Sequence, residues 1–333
     1  MITPAIQIIE QLQHPTGLFS AAAKTVTTGY NKAWIRDNIY TAMGLETNNP
    51  DKAIKTYHAL FDIFKKHSYK IDYAIATKPE HAYQYIHARY HPETFDEYWE
   101  PWGNKQHDAI GLFLYKVGEL LEKGWNIIRD ETDTIIIQKL IAYLGSIKYW
   151  HEPDNGMWEE AEEIHASSVG ACVAGLKKIQ SHFSVPKELI IKGEETLYRL
   201  LPRESATKDV DLALLSLIYP FHIVTDEQAQ HILHNVETQL VRTNGVIRYR
   251  GDQYYIYNNL EPAWPLGFSW LALIYKKLGN IPKYKEYLQK TISTLNDKGE
   301  LPELYYANTN QHNDNTPLGW AQSLFIQAVL EDV

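Results

Sequence analysis

Apolar residues recur along most of this chain at spacings of three and four, and that periodicity constrains its fold more than any other feature. Ile54, Tyr57, Phe61 and Phe64 follow it, as do Ile110, Leu114, Val117 and Leu121, the mark of helices that bury one stripe and expose the rest. The same pattern returns near residues 3–13, 34–46, 131–149, 167–180, 187–200, 209–219, 225–241, 265–278, 282–295 and 318–331. That makes about twelve helices, one every 28 residues or so. No alternation of strand and helix appears, and no linker rich in Pro, Ser or Gly offers a place to divide the chain. An open stack of helix pairs would show a repeating signature, and none is visible. The expected architecture is therefore all-α: one domain over 1–333, six helical hairpins closed into an (α/α)6 barrel, with the loops around one end of a central cavity.

Local signals sharpen some boundaries. Ser167 and Ser168 are expected to cap the helix that runs through Cys172 and Leu176, Asp226 to sit in an acidic first turn, and Gly124 and Gly279 to end helices whose last turns carry lysine. Strand character is confined to short pieces such as "GVIRYRGDQYYIY" (245–257), expected to form a small β-hairpin among the loops.

Composition narrows the function. With 333 residues, 44% of them hydrophobic, the chain can bury a large core. A net charge of −9 argues against a nucleic-acid partner, which needs concentrated Lys and Arg, and favours a neutral small molecule. The single cysteine, Cys172, lies in an apolar stretch and reads as a core residue. "MITPAIQIIEQLQHPTG" lacks the basic start and apolar run of a signal peptide, so the expectation is a cytoplasmic protein. "LALLSLIYPF" is too short to span a membrane and is broken by Pro220. The 9 Trp and 23 Tyr suit the faces and hydroxyls of sugars, and equally suit helix interfaces.

The loops between these helices mix aromatic and ionisable residues: "GYNKAWIRDN", "YWEPWGNKQHDAIG", "DNGMWEEAEE", "IRYRGDQYY", "LEPAWP" and "LPELYY". Brought to one end, they would form an aromatic pocket with acidic working groups. Cleaving a glycosidic bond needs two carboxyls, one protonated and one ionised. Glu159, beside Trp158, could lose hydration and be raised into the range of a general acid; Glu303, after Pro302 in a polar loop, could remain an anion. Locally, "WEEAEE" reads equally as a solvated acidic helix start, in which Glu162 and Glu163 face water. Arg36 and Asp37 are either a structural ion pair or a clamp for sugar hydroxyls. His107 and Asp108 have no partner motif that would make a metal site, and no serine-hydrolase elbow, nucleotide loop or dinucleotide fingerprint is present.

Seven pieces in order, "AWIRDNIY", "WGNKQHDAIG", "DNGMWEE", "IHASSVG", "EPAWPL", "LPELYY" and "LGWAQSLFI", make the chain resemble glycoside hydrolase family 15, the glucoamylase-like enzymes. In wording they are similar above all to the related N-terminal domain of phosphorylase kinase alpha and beta subunits. The resemblance implies an (α/α)6 barrel and an inverting, exo-acting α-glucosidase that needs no metal or organic cofactor. It places the general acid on Glu159 and the base on Glu303. Arg36 and Asp37 would hold the terminal glucose, with Tyr30, four residues before the substrate-side Trp34, near the developing positive charge. Trp102, Gln106 and Asp108 would line the substrate side, Trp158 and Glu160 would flank the acid, and Arg248 would contact the sugar. His107 stands where glucoamylases usually carry arginine, and no appended starch-binding module is seen, so short gluco-oligosaccharides are the expected substrates. The alternative is a non-catalytic carbohydrate-binding or regulatory domain that keeps the pocket.

Overall fold

The computed structural model describes residues 2–100 and 102–330. Thirteen α-helices appear among them: α1 (Ile2–Leu12), α2 (Ile35–Met43), α3 (Pro50–Lys66), α4 (Ser68–Ala76), α5 (His107–Glu122), α6 (Glu131–Ile147), α7 (Ala166–Ile179), α8 (Lys187–Leu200), α9 (Leu215–Ile218), α10 (Asp226–Gln239), α11 (Leu266–Lys277), α12 (Ile281–Ser293) and α13 (Gly319–Leu330). Each of α2, α5, α7, α9, α11 and α13 packs on the next, and α13 returns to α2, so these six close a ring. Around it, α1, α3, α6, α8, α10 and α12 each pack on an inner helix. This is the (α/α)6 toroid expected from the periodicity.

The two rings differ because their sequences do. Outer helices bury a stripe, as α10 does with Ala229, Ile232, Leu233 and Val236, while α5, α7 and α13 are buried on nearly every side. Close approach of α5 to α7 depends on glycine. A Cβ on Gly111 would meet the Ala171 carbonyl carbon at 2.4 Å, and one on Gly175 would meet the Gly111 oxygen at 2.3 Å.

Several expectations are corrected. One helix, α4, is additional: of its apolar side chains it buries Ile71 and Ala74, while Tyr69, Tyr73 and Ile75 face outward. The element expected at 209–219 is a 3-10 turn (Leu212–Leu214) followed by the single turn of α9 before Pro220. Ser167 and Ser168 lie inside α7, which His165 precedes without a side-chain cap; Ser167 instead donates its amide and hydroxyl to buried Glu204. The hairpin lies upstream of its expected place, where β3 (Val241–Arg242) pairs antiparallel with β4 (Gly245–Val246). Another two-residue pair joins β1 (Ala33–Trp34) to β2 (Arg89–Tyr90). Gly124 and Gly279 do take the left-handed conformation after α5 and α11, and Cys172 is buried. None of the described helices is long and apolar enough to cross a membrane.

Connections differ at the two ends. Segments leading from an outer to an inner helix are long, as at 13–34, 77–106, 148–165, 240–265 and 294–318, while those leading back out are short, as at 44–49, 180–186 and 278–280. The long loops therefore gather over the N-termini of the inner helices, where free N–H groups favour negative charge.

Candidate active site

Over those N-termini lies a narrow hollow of about 440 Å³. Tyr30, Trp34, Arg36, Asp37, Trp158 and Glu159 line one part; Arg248, Trp264, Glu303 and Trp320 line another. Residues far apart in sequence meet here because each lies in the first turn of an inner helix or in a long loop leading to one.

Glu159 stands on a turn built for it. It has a left-handed backbone (φ 63°), as does Gly156, a conformation that costs a side-chain-bearing residue energy and collects at functional sites. Asn155 holds the turn shut. It accepts from the Lys105 N–H (3.0 Å) and donates to the Glu160 carbonyl (2.7 Å). The Glu159 carboxylate accepts from Gln106 Nε2 (2.8 Å), Arg36 (3.3 Å) and the Trp102 indole. Burial pushes this carboxyl above its ordinary range, against the pull of Arg36, Gln106 and Trp102.

Glu303 is held from the other side. Its backbone N–H donates to the Asn315 carbonyl (3.0 Å), and its carboxylate accepts from the amides of Asn313 (2.5 Å) and Asn315 (2.7 Å) and from Tyr254 (3.3 Å). Tyr254 in turn touches the Tyr30 hydroxyl at 3.0 Å. Glu303 is wholly buried, and burial raises this carboxyl too, against its donors Tyr30, Asn315 and Asn313. The two acids thus resemble each other in electrostatic setting.

Arg36 is the buried cation of the site. It donates to Asp108 (2.9 Å), Gln106 (3.0 Å) and Glu159, and its ion pairs are with Asp108 and Glu159 rather than its neighbour Asp37. Burial pushes the Asp37 carboxyl up, Arg36 pulls it back, and Glu159 and Glu303 push it up again, leaving it at about 7. An acid raised in the folded state holds its proton there after the unfolded chain has lost it. Between about pH 4 and 7 its ionisation therefore costs stability as pH rises, and above 7 the cost is complete. Asp37→Asn should accordingly melt higher than wild type at about pH 8 and alike at about pH 4; thermal unfolding at the two pH values checks this.

The profile of glycosyl hydrolases family 15 matches residues 3–333. The chain belongs to this family. Among curated proteins it is similar to the liver isoform of the phosphorylase b kinase regulatory subunit alpha from Oryctolagus cuniculus, 25% identical over 97% of this chain and 32% of that one. The skeletal muscle isoform from the same animal is 26% identical over 88% of this chain and 30% of its own length. The chain thus spans about a third of the length of these relatives. In fold it is similar to a wild-type glycosidase (TM-score 0.85, 20% identity, 98% of this chain and 95% of that one). It is also similar to the glucoamylase from Saccharomycopsis fibuligera (TM-score 0.71, 14% identity, 98% and 92%).

In this family 15 chain most of the expected site residues converge, with three differences. Gln106 and Asp108 do not face the hollow; they lie buried at the start of α5, under Glu159 and Arg36. Trp102 sits at the lip, its ring edge-on to Trp34 at 6.4 Å. Glu160 turns away from Glu159 toward Arg248 (3.0 Å), Tyr249 (2.8 Å) and Lys208 (2.6 Å). Burial would raise Glu160, but Arg248 and Lys208 outweigh it and hold it low. No helix starts at "WEEAEE": Glu162 is exposed but pairs with Lys105, and Glu163 accepts from Thr207. His107 is buried, which keeps its ring below the usual histidine range.

Other contributors were not singled out from sequence. Trp264 and Trp320 complete the aromatic wall, and Asp211 accepts the Trp158 indole N–H at 2.7 Å. A tryptophan one residue into an inner helix (Trp320) or just ahead of one (Trp264) was the available signal, given a toroid whose inner N-termini converge. Asn313 and Asn315 had none, because only the fold of the loop turns them onto Glu303. Among the described residues no group of three or more His, Cys, Asp or Glu side chains is arranged to hold a metal.

Proposed function

We propose that this family 15 glycoside hydrolase is an inverting, exo-acting α-glucosidase acting on short gluco-oligosaccharides. Glu159 protonates the glycosidic oxygen, and Glu303 takes a proton from the attacking water. The supporting observation is the meeting of Glu159 and Glu303 at one hollow, both raised by burial, each oriented by its own set of donors. A protonated Glu159 and an ionised Glu303 at one hollow supply an acid and a base at once. Arg36 and Asp37 are the groups for hydroxyls of the terminal ring, and the Trp158, Trp264 and Trp320 faces suit its C–H surfaces. Tyr30 and Trp34 lie on the lining where positive charge would develop. Trp102, Gln106 and Asp108 act by holding Glu159 and Arg36, and Glu160 by anchoring Arg248. One protein of similar fold is a glycosidase variant in complex with glucose, which agrees with a site for one glucose ring.

A second reading, a sugar-binding regulatory domain, is favoured by the similarity to kinase regulatory subunits across nearly the whole chain. One experiment separates the two. The protein is incubated with maltose, isomaltose, trehalose, kojibiose and maltotriose, and glucose is followed by proton NMR. From maltotriose, whose leaving group is maltose, early β-glucose supports inversion and early α-glucose replaces it with retention; binding of any of them without release leaves the regulatory reading.

A further inference from the structure

Beneath the turn that presents Glu159 lies a buried ion pair, Asp154 with His165. Asp154 is 1% exposed and His165 3%, and Nδ1 of the ring stands 2.9 Å from Oδ1 of the carboxylate. Burial would lower the histidine, but Asp154 and, behind it, Glu204 outweigh burial and the opposing Lys208, and raise the ring to about 9. Burial would raise Asp154, and His165 with His107 holds it low instead. The bond is thus charge-assisted, an imidazolium N–H donating to a carboxylate.

Asp154 ties three parts of the site together. Its backbone exchanges hydrogen bonds with Glu163 (2.8 and 3.0 Å), which closes 154–163 into a loop. Its Oδ2 accepts the His107 N–H at 3.0 Å, at the start of α5. On either side of His107 stand Gln106, which donates to Glu159, and Asp108, which accepts from Arg36. Its Oδ1 meets His165, the residue just ahead of α7. One carboxylate therefore sets the loop that carries the acid against two inner-helix starts, and one of those starts supplies the acid's own donor.

The imidazole supports the same loop by its face. A Cβ on Gly156 would meet Cε1, Nδ1 and Nε2 of His165 at 2.9, 3.0 and 3.0 Å. Such nearly equal distances mean that the ring lies flat under Gly156, three residues before Glu159, where the backbone is left-handed (φ 63°). Neither His165 nor Asp154 is on the lining of the hollow, so what they contribute to a reaction there passes through Glu159. Glu303 is held by Asn313 and Asn315, on a different loop. We infer that His165 is a positioning residue for the acid alone: through Asp154 and through its face under Gly156 it fixes the Glu159 carboxyl where the glycosidic oxygen arrives. The inference rests on the glycosidase reading for what Glu159 does. A displacement of about 1 Å can cost a reacting group about 10²-fold in rate, and a support that holds the acid and not the base should show that cost only where a proton is needed.

The test compares glucose release from maltotriose with turnover of 2,4-dinitrophenyl α-glucoside, whose leaving group needs no proton, in His165→Ala and His165→Asn, with a crystal structure of each variant. His165→Ala should release glucose from maltotriose about 10²-fold more slowly than wild type and turn over the dinitrophenyl glucoside within about threefold of it. His165→Asn keeps a donor for Asp154 but no ring under Gly156, and should retain a selective loss of about tenfold; it carries the test where His165→Ala does not fold. The structures should show Glu159 drawn away from Gln106 and Glu303 in place. Equal losses on the two substrates, or no loss on maltotriose, overturn the inference and leave the glycosidase reading standing. A wild type that turns over neither substrate sinks that reading, and the structures then decide: a displaced Glu159 beside an unmoved Glu303 keeps His165 in its role, and an unmoved Glu159 ends both. Failure of both variants to fold overturns the inference by making His165 a residue of the fold.

Discussion

Glu159→Gln should release glucose from its best oligosaccharide about 10²–10⁴-fold more slowly than wild type, with kcat and kcat/KM falling together. Glutamine keeps the size of the side chain and an acceptor for Trp102 or Arg36, but it cannot give up a proton. Glu303→Gln should lose as much, for the opposite reason, since it can no longer accept one. A leaving group that needs no proton tells them apart: 2,4-dinitrophenyl α-glucoside should recover most of its turnover in Glu159→Gln and none in Glu303→Gln. Equal rescue of both would remove the assignment of acid and base. The pH profile follows from the raised acids. The acid must be protonated and the base ionised, so burial moves both limbs of the wild-type profile above the ordinary carboxyl range, and the alkaline limb should vanish in Glu159→Gln.

The largest stability effect should come from Asp108→Ala. Arg36 is 3% exposed, and burial, which alone would lower it, is outweighed by Asp108, Glu159 and Asp37, which hold the guanidinium charged. Removing the Asp108 carboxylate takes away its shortest ion pair and leaves a buried charge short of a partner, a change that costs about 3–5 kcal/mol. Denaturant unfolding should show an earlier midpoint at unchanged slope. The control is Asp72→Ala: that residue pairs with Lys139 at the surface, where an ion pair is worth at most about 1 kcal/mol. Equal shifts in the two variants would mean that Arg36 is solvated or satisfied elsewhere.

Much of the site was legible in the loops because the chemistry demands particular residue types. Glu159, Glu303, Arg36, Asp37, Trp158 and Arg248 all stand out there, and all line one hollow. What failed was direction. Glu160 and Glu159 are chain neighbours, yet the left-handed turn at Glu159 sends their carboxylates to different partners. The polar loop around Glu303 does not say which of its residues reach the carboxylate; Asn313 and Asn315 do, because the loop folds over it.

The sequence by itself determined a ring of paired helices, because the 3.6-residue period that separates a striped helix from a fully apolar one is a property of each short segment. It also determined which residue types could do acid and base chemistry. Only the tertiary structure decided which of those acids share a cavity and how far each is raised, because burial and field depend on groups that the closing of the toroid brings together from far along the chain.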